Sequence, residues 1–247
     1  MADSKTEDEQ SESTIRIPKE HAPLDYLLSQ IPKKAQKGML IQCDLHLNCI
    51  DANDHFIALG SNVGVVFLYN RKDKELERLR THSNNDMITS VAIHSGLENQ
   101  IAVGTEKGMI YLFQLPSVMP SQSRQLQQFI VKDIHKREVT CICWSLNGMK
   151  MFSGDKKGLV SCTEVDFYAG VCETNICLIE SNCEIVQLSH AHKALLISTN
   201  QRSLLYRTDI KTALVQVGQK DRKMFGKFEL MLSLYLYGIT KTFDWLR

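Results

Sequence analysis

Four stretches of the chain repeat one pattern of apolar and polar positions: FIALGSNVGVVFLYN (56–70), IAVGTEKGMIYLFQL (101–115), MFSGDKKGLVSCTEV (151–165) and LLISTNQRSLLYRTD (195–209). Each is a β-rich run, a small polar turn and a second β-rich run, the pattern of a hairpin. Gly60, Gly104, Gly154 and then Ser198 hold the first turn position, at intervals of 44, 50 and 44 residues. Gly64, Gly108 and Gly158 hold the second, where a left-handed backbone costs little only for glycine. The fourth stretch has Arg202 there, so its turn must differ.

Another strand-like run precedes each hairpin: CDLHLNCI (43–50), MITSVAIH (87–94), VTCICWSL (139–146) and EIVQLSH (184–190). A further run follows, clearest in QLQQFIVKDI (125–134) and TALVQVG (212–218). Four strands per unit at a period of roughly 40–50 residues is the signature of a β-propeller blade. The expected fold is all-β, with about four four-stranded blades over residues 41–228. A propeller typically closes with about 4–8 blades, and seven at this spacing need more residues than the chain has. The expectation is an incomplete ring with an uncovered blade face at each end, and so an isolated chain that is unstable, oligomeric or chaperone-bound.

The rest of the chain reads differently. Residues 1–20 are acidic and Ser/Glu-rich with little to bury, the composition of a disordered tail. In residues 21–40, Leu24, Leu27, Leu28 and Ile31 are spaced for one helical face, and Pro32 stops or kinks that lead-in helix. RKDKELERLR (71–80) reads as an exposed outer strand or loop.

Composition excludes more than it suggests. A net charge of +1 over 247 residues gives no electrostatic case for nucleic acid or an anionic membrane. No run approaches roughly 18 apolar residues, so membrane insertion is not expected. The eight cysteines include no Cys-x-x-Cys pair, so zinc-finger spacing is absent. Without a secretory signal they read as reduced, mostly buried thiols of a cytoplasmic protein.

Catalytic chemistry finds no support in the pattern. SGDKKG (153–158) continues into β structure, whereas a phosphate-binding loop leads into a helix whose amides hold the anion. Nor does it have the oxygen ligands of a calcium loop. His190 and His192 read as a solvated loop, Cys141 and Cys143 as one packed strand face, and Asp51, Asp54 and Asp155 as turn residues. The eight histidines form no nucleophile constellation in the sequence. No catalytic, cofactor-binding or metal residue is assigned, and no enzyme is expected. EVDFYAGV (164–171) places Tyr168 and Val171 as aromatic-x-x-aliphatic after acidic residues, a form that can add a strand to a ubiquitin-like partner; it reads as an accessible loop.

The hairpins resemble WD repeats around Gly104, Gly108, Gly154, Asp155 and Gly158, although Tyr69-Asn70, Gln114-Leu115 and Glu164-Val165 replace the terminal Trp-Asp. His82 and His135 lie near the distance of the usual upstream histidine. YLLSQIPKKAQKG (26–38), AVGTEKGMIYLFQL (102–115), IHKREVTCICWSLNGMKMFSGDKKG (134–158) and LLISTNQRSLLY (195–206) resemble the N-terminal propeller of the tectonin β-propeller repeat-containing family. A more distant resemblance is to the Hermansky–Pudlak syndrome 5 family. The resemblance implies a non-catalytic interaction scaffold in autophagy and in secretory or endolysosomal traffic. It also implies protein partners such as autophagy, coat or tethering factors, and a place at ER exit sites, autophagosomes or endolysosomes. Residues 229–247 diverge from the family, and its autophagosome-binding motif is absent. The alternative reading is a truncated form with no autonomous function.

Overall fold

The computed structural model describes residues 22–37, 41–82, 86–94, 96, 99–116, 125–179, 183–208 and 214–217. The expected tails, residues 1–20 and 229–247, lie outside them. The chain divides into two compact units, residues 1–31 and 32–247. The first contributes one described element, helix α1 (Ala22–Gln30), so the helix occupies only the first half of the expected lead-in. The second unit begins with a short hairpin of β1 (Lys34–Lys37) and β2 (Ile41–Asp44). The run read as one strand over 43–50 is therefore broken at Leu45-His46, where the chain leaves this hairpin for the first blade.

Four antiparallel meanders follow. Blade 1 is β3 (Leu47–Ala52), β4 (Phe56–Ser61), β5 (Val65–Asn70) and β6 (Glu75–Arg80). Blade 2 is β7 (Ile88–His94), β8 (Gln100–Thr105), β9 (Ile110–Gln114) and β10 (Gln127–Val131). Blade 3 is β11 (Val139–Trp144), β12 (Lys150–Asp155), β13 (Leu159–Asp166) and β14 (Val171–Ile179). Blade 4 is β15 (Ile185–Ala191), β16 (Ala194–Thr199), β17 (Ser203–Arg207) and β18 (Leu214–Val217). In every sheet the strands hydrogen-bond in sequence order. The basic-acidic run at 71–80 supplies the outer strand β6, whose residues are mostly exposed.

The first strands stand side by side as β3, β7, β11 and β15; among the described residues β15 makes no comparable packing with β3. The blades thus form an arc. Each core lies between two of them. Ile101, Val103, Tyr111 and Phe113 of blade 2 pack towards blade 1, whereas Ala102, Ile110 and Leu112 pack towards blade 3. Alternate residues of one strand are buried on opposite faces, which is why the middle strands read as unbroken apolar runs. Each fully buried Leu, Ile or Phe stabilises the arc by roughly 1.5–3 kcal/mol.

Two devices recur at the blade junctions. The first strand of every blade carries a bulge, between Leu47 and Cys49, Ile88 and Ser90, Val139 and Cys141, and Ile185 and Gln187. The bulged residue reaches the next blade: Asn48 Nδ2 donates to the Ile88 carbonyl (3.2 Å), Thr89 Oγ1 to that of Val139 (2.6 Å), and Thr140 Oγ1 to that of Ile185. Gly60, Gly104 and Gly154 are not turn residues. Each is the penultimate residue of a second strand, and a Cβ there would sit 2.5 Å from Ile88 Cγ2, 2.6 Å from Val139 Cγ1 and 2.5 Å from Ile185 Cγ2 respectively. These glycines serve close approach between blades.

Conformational freedom belongs to the second set, with φ of 71° at Gly64, 84° at Gly108 and 94° at Gly158. The last residue of each second strand caps the turn. Ser61 Oγ accepts from the Val65 amide, Thr105 Oγ1 from that of Met109, and Asp155 Oδ1 from those of Lys157 and Leu159. In blade 4, Thr199 Oγ1 accepts from the Gln201 and Arg202 amides. Arg202 is not among the positive-φ residues, so that turn closes without a left-handed position.

Candidate protein-interaction face

Because each blade is a simple meander, the loop from first to second strand and the loop from third to fourth lie at the same end. Among the described residues, three hollows open at this end. One of ≈ 520 Å³ lies among His94, Gln100 and Gly96 of blade 2 and Met149, Phe167 and Tyr168 of blade 3. A second, ≈ 330 Å³, lies against the inner strands among Asp51, Ile93, His94, Ile142, Trp144 and His190. The third, also ≈ 330 Å³, lies between blades 3 and 4 among Ser145, Asn147, Lys150, His190, His192 and Thr208. Leu146 lines all three and is 66% exposed.

Local structure holds Leu146 outward. It is the second residue of a tight turn in which the Gly148 amide donates to the Ser145 carbonyl (2.9 Å). Asn147 Oδ1 accepts from Ser145 Oγ (2.7 Å) and from the Met149 amide (3.2 Å). Ser145 Oγ accepts in turn from the Lys150 amide (2.9 Å). Gly148 has φ of 69°, and a Cβ there would lie 2.5 Å from the His94 ring. Trp144 Nε1 donates to the Ala92 carbonyl (3.0 Å), and its ring lies 5.9 Å from that of His94. A hydrogen-bonded turn seated on two blades therefore projects Leu146 beside the exposed Met149 and Tyr168.

The polar groups around it are muted. Burial pushes the Asp51 carboxyl up from its ordinary value, opposed in part by the amides of Ile93 and Ala52, with Ile93 donating to Oδ2 at 2.7 Å. Asp51 is thus a strand residue tying blade 1 to blade 2 and not a turn residue. Burial lowers His94; burial first, then the nearby His192 and Lys150 charges, lowers His190. In both imidazoles burial favours the neutral form. Gln100 Oε1 and His190 Nδ1 are buried beneath the hollows without a hydrogen-bond partner.

The structure also assembles a constellation that the sequence did not reveal. His135 Nδ1 lies 3.0 Å from Asp155 Oδ2, and its Nε2 lies 2.7 Å from Ser153 Oγ. Ser153 Oγ lies 2.8 Å from Ser161 Oγ. A carboxylate only accepts, so Nδ1 carries the proton, Nε2 accepts from Ser153, and Ser153 accepts from Ser161. Burial acts to raise Asp155, but the His135 contact and the Leu159 and Lys157 amides outweigh it and hold the carboxyl below its ordinary value. The spacing is that of a Ser-His-Asp triad, yet all four residues are at most 3% exposed. No substrate reaches Ser153, and the network is structural. Its signal in the sequence was His135, whose partners lie on β12 and β13, at separations of 18, 20 and 26 residues.

Other expected features sit as follows. Tyr168 is 70% exposed, but EVDFYAGV is a hairpin and not an open loop. Asp166 pairs with Val171 across the β13–β14 ladder, and Asp166 Oδ1 accepts from the Tyr168 and Ala169 amides (2.8 and 3.0 Å). Gly170 has φ of 67°, so the segment is a closed turn and cannot add as an extended strand without breaking that pairing. His190 lies in β15 with its ring 4.9 Å from Phe152, and only His192 (φ 52°) is in the turn. Among the described residues no group of three metal-ligating side chains is present. Cys141 and Cys143 pack between blades 3 and 4 as one strand face, and burial pushes Cys141 up to about 12 and Cys143 well above its ordinary value. Of the eight cysteines only Cys183 is fully buried, the others being half-covered, and none is in a disulfide.

Four sequential four-stranded meanders packed face to face in an arc define a WD-repeat-like β-propeller segment. The chain is 38% identical to human tectonin β-propeller repeat-containing protein 2 over 92% of its own length and 16% of that protein's. It is 36% identical to a WD repeat-containing protein of Drosophila melanogaster, over 83% of this chain and 30% of the fly protein. Human BLOC-2 complex member HPS5 is 28% identical, over 85% of this chain and 18% of that protein. The chain is therefore related to the tectonin protein and more distantly to HPS5, and spans less than a third of any of the three. No family model matches it.

Proposed function

We propose that this chain is a non-catalytic protein-interaction segment of a trafficking scaffold, acting in autophagy and in secretory or endolysosomal transport. It works from the cytoplasmic side, at ER exit sites, autophagosomes or endolysosomes, through protein partners such as coat or tethering factors. The observation that carries the reading is Leu146, an exposed apolar side chain on a rigid turn at the meeting of three hollows. A partner seated there would bury Leu146. The relationship to a member of the BLOC-2 complex supports a role in an assembly.

The test is co-purification from cells expressing either the wild-type chain or Leu146→Asp, each quantified by mass spectrometry. Leu146→Asp should leave thermal melting unchanged and deplete trafficking proteins from the recovered set at least tenfold. An unchanged set would defeat the reading.

A further inference from the structure

Half of the cysteines lie on one face of one blade. Cys141 and Cys143 of β11, Cys162 of β13 and Cys177 of β14 all pack in the layer between blades 3 and 4. Three of them stand where strand alternation puts them. Cys143 pairs with Phe152 and Phe152 with Cys162, so one cross-strand row carries all three on the side of blade 4. Cys177 is there for another reason. The β13–β14 ladder pairs Val160 with Leu178 but Ser161 with Ile176, which makes Cys177 the extra residue of a bulge. Cys177 and Leu178, neighbours in sequence, therefore both pack towards blade 4, which regular alternation forbids.

The bulge brings two thiols together. Cys162 pairs with Asn175, so Cys177 is its diagonal neighbour, and the Cys177 thiol donates a hydrogen bond to the Cys162 sulfur. The Lys150 ammonium stands beside the pair, its Nζ 2.8 Å from Glu164 Oε1. Tyr206 of β17 faces both sulfurs from blade 4. Both cysteines are half-covered, and the Lys150 and Glu164 side chains are 43% and 53% exposed, so the pair sits at the solvent rim of the junction. Burial raises Cys49, Cys141, Cys143 and Cys172. Cys162 moves the other way: the Cys177 hydrogen bond, helped by the Lys150 charge, holds it below its ordinary value against burial. That same hydrogen bond, and then burial, raises Cys177. One thiol is set up as the nucleophile while its neighbour keeps the proton.

We propose that Cys162 and Cys177 form a peroxide-oxidisable dithiol, a modification site that closes to a disulfide across the β13–β14 bulge. The Cys162 thiolate attacks one oxygen of a hydroperoxide. A sulfur–oxygen bond forms, the oxygen–oxygen bond breaks, and the leaving oxygen takes a proton from water. Cys162 is then a sulfenic acid, and the peroxide has been reduced by the electron pair it took from sulfur. The Cys177 sulfur next attacks that of Cys162. The sulfur–sulfur bond forms, the sulfur–oxygen bond breaks, and the departing hydroxide leaves as water with the Cys177 proton. A small cellular thiol such as glutathione returns both cysteines to thiols by exchange. Oxidation ties the outer strand of blade 3 to its neighbour at the junction with blade 4. It does not depend on the hollows around Leu146.

Selective oxidation tests it. The full chain is treated with hydrogen peroxide, native and in urea, its remaining thiols are blocked, and it is digested without reduction at Asp and Glu. Glu164, Asp166 and Glu173 lie between the two cysteines, so mass spectrometry distinguishes linked from unlinked peptides. The native chain should yield a Cys162–Cys177 linked pair, lighter by two hydrogens and reversed by dithiothreitol, at least about tenfold faster than any other cysteine is oxidised. In urea that preference should vanish. Cys177→Ser should leave Cys162 as a sulfenic acid that dimedone captures, and Cys162→Ser should leave Cys177 no more reactive than Cys172. Where a variant does not fold, the wild-type map alone decides. Native cysteines oxidised at equal rates would overturn the proposal, as would a preference that survives urea. So would Cys162 linked instead to β11, or carried to sulfonic acid with no link formed.

Discussion

Blades 3 and 4 have the same strands in the same order, yet different chemistry holds them. In blade 3 the turn between second and third strands is capped by Asp155, itself tied to His135, Ser153 and Ser161 in one buried network. In blade 4 the cap is Thr199, a neutral hydroxyl serving two amides, and the positions of Ser153 and Ser161 are the apolar Ile197 and Leu204. Blade 3 also passes a hydrogen bond and a glycine contact on to its successor, and blade 4 has the residues for neither. One backbone plan therefore tolerates either a charged, coupled anchor or a greasy, uncoupled one. The first should fail sharply when a part is removed, and the second should yield by degrees.

Removing His135 should have the largest effect. His135→Ala leaves a buried carboxylate without one of its hydrogen-bond donors, and losing a hydrogen bond to a charged group costs about 1.5–3 kcal/mol. Thr199→Ala in blade 4 removes only a neutral cap and should cost about 1 kcal/mol. Chemical denaturation of both variants measures the contrast; equal losses would mean that the network contributes nothing beyond a cap. The pH dependence follows from the same group. Asp155 titrates below its ordinary value of 3.8 when folded, so its stabilisation is fully present above that value and is lost as pH falls through the depressed one. Wild type should lose stability over that acid range, and His135→Ala should show a shallower loss.

The glycine junction comes next. Gly154→Ala drives a Cβ to 2.5 Å from Ile185 Cγ2 and 2.8 Å from its Cβ, and overpacking of this kind costs about 1–3 kcal/mol. Ser198→Ala, at the matching position of blade 4, already has room for its Cβ and should change the melting temperature little. A tolerated Gly154→Ala would mean that blades 3 and 4 slide apart without penalty, and the distinction between internal and terminal junctions would fall.

How much of this was legible in the sequence depended on whether the signal was local. The hairpins, and glycine at 64, 108 and 158, are short-range features fixed by turn chemistry, and they stood in the repeat itself. Gly60, Gly104 and Gly154 were visible as a repeat but read as turn residues, because the reason for them is a side chain 28, 35 or 31 residues further on, in another sheet. His135 gave the same difficulty: its partners share no local pattern with it. The hydrogen bond from the Ile93 amide to Asp51 and the closed turn at Tyr168 also depend on strand pairing, which no stretch of sequence displays alone. The interaction face was the least legible. Leu146 is an ordinary apolar residue in sequence, and only the turn of Ser145, Asn147 and Gly148 exposes it.

The smallest effect isolates the remaining device, the bulge side chain. Thr140 Oγ1 donates to the Ile185 carbonyl, which lies across a blade boundary 45 residues away. Thr140→Val keeps the shape and removes that donor, and a net protein hydrogen bond is worth about 1 kcal/mol. The β-branched replacement keeps the strand preference of the site, so the loss is not one of local conformation. Blade 4 supplies the control, because Val186 already lacks the donor and Val186→Ala removes only apolar contact. Backbone amide hydrogen exchange at β15 distinguishes the two. Thr140→Val should accelerate exchange there by several-fold and leave β16 and β17 at wild-type rates. Exchange unchanged at β15 would mean that packing alone, and not the chain of bulge hydrogen bonds, sets the junction between these blades.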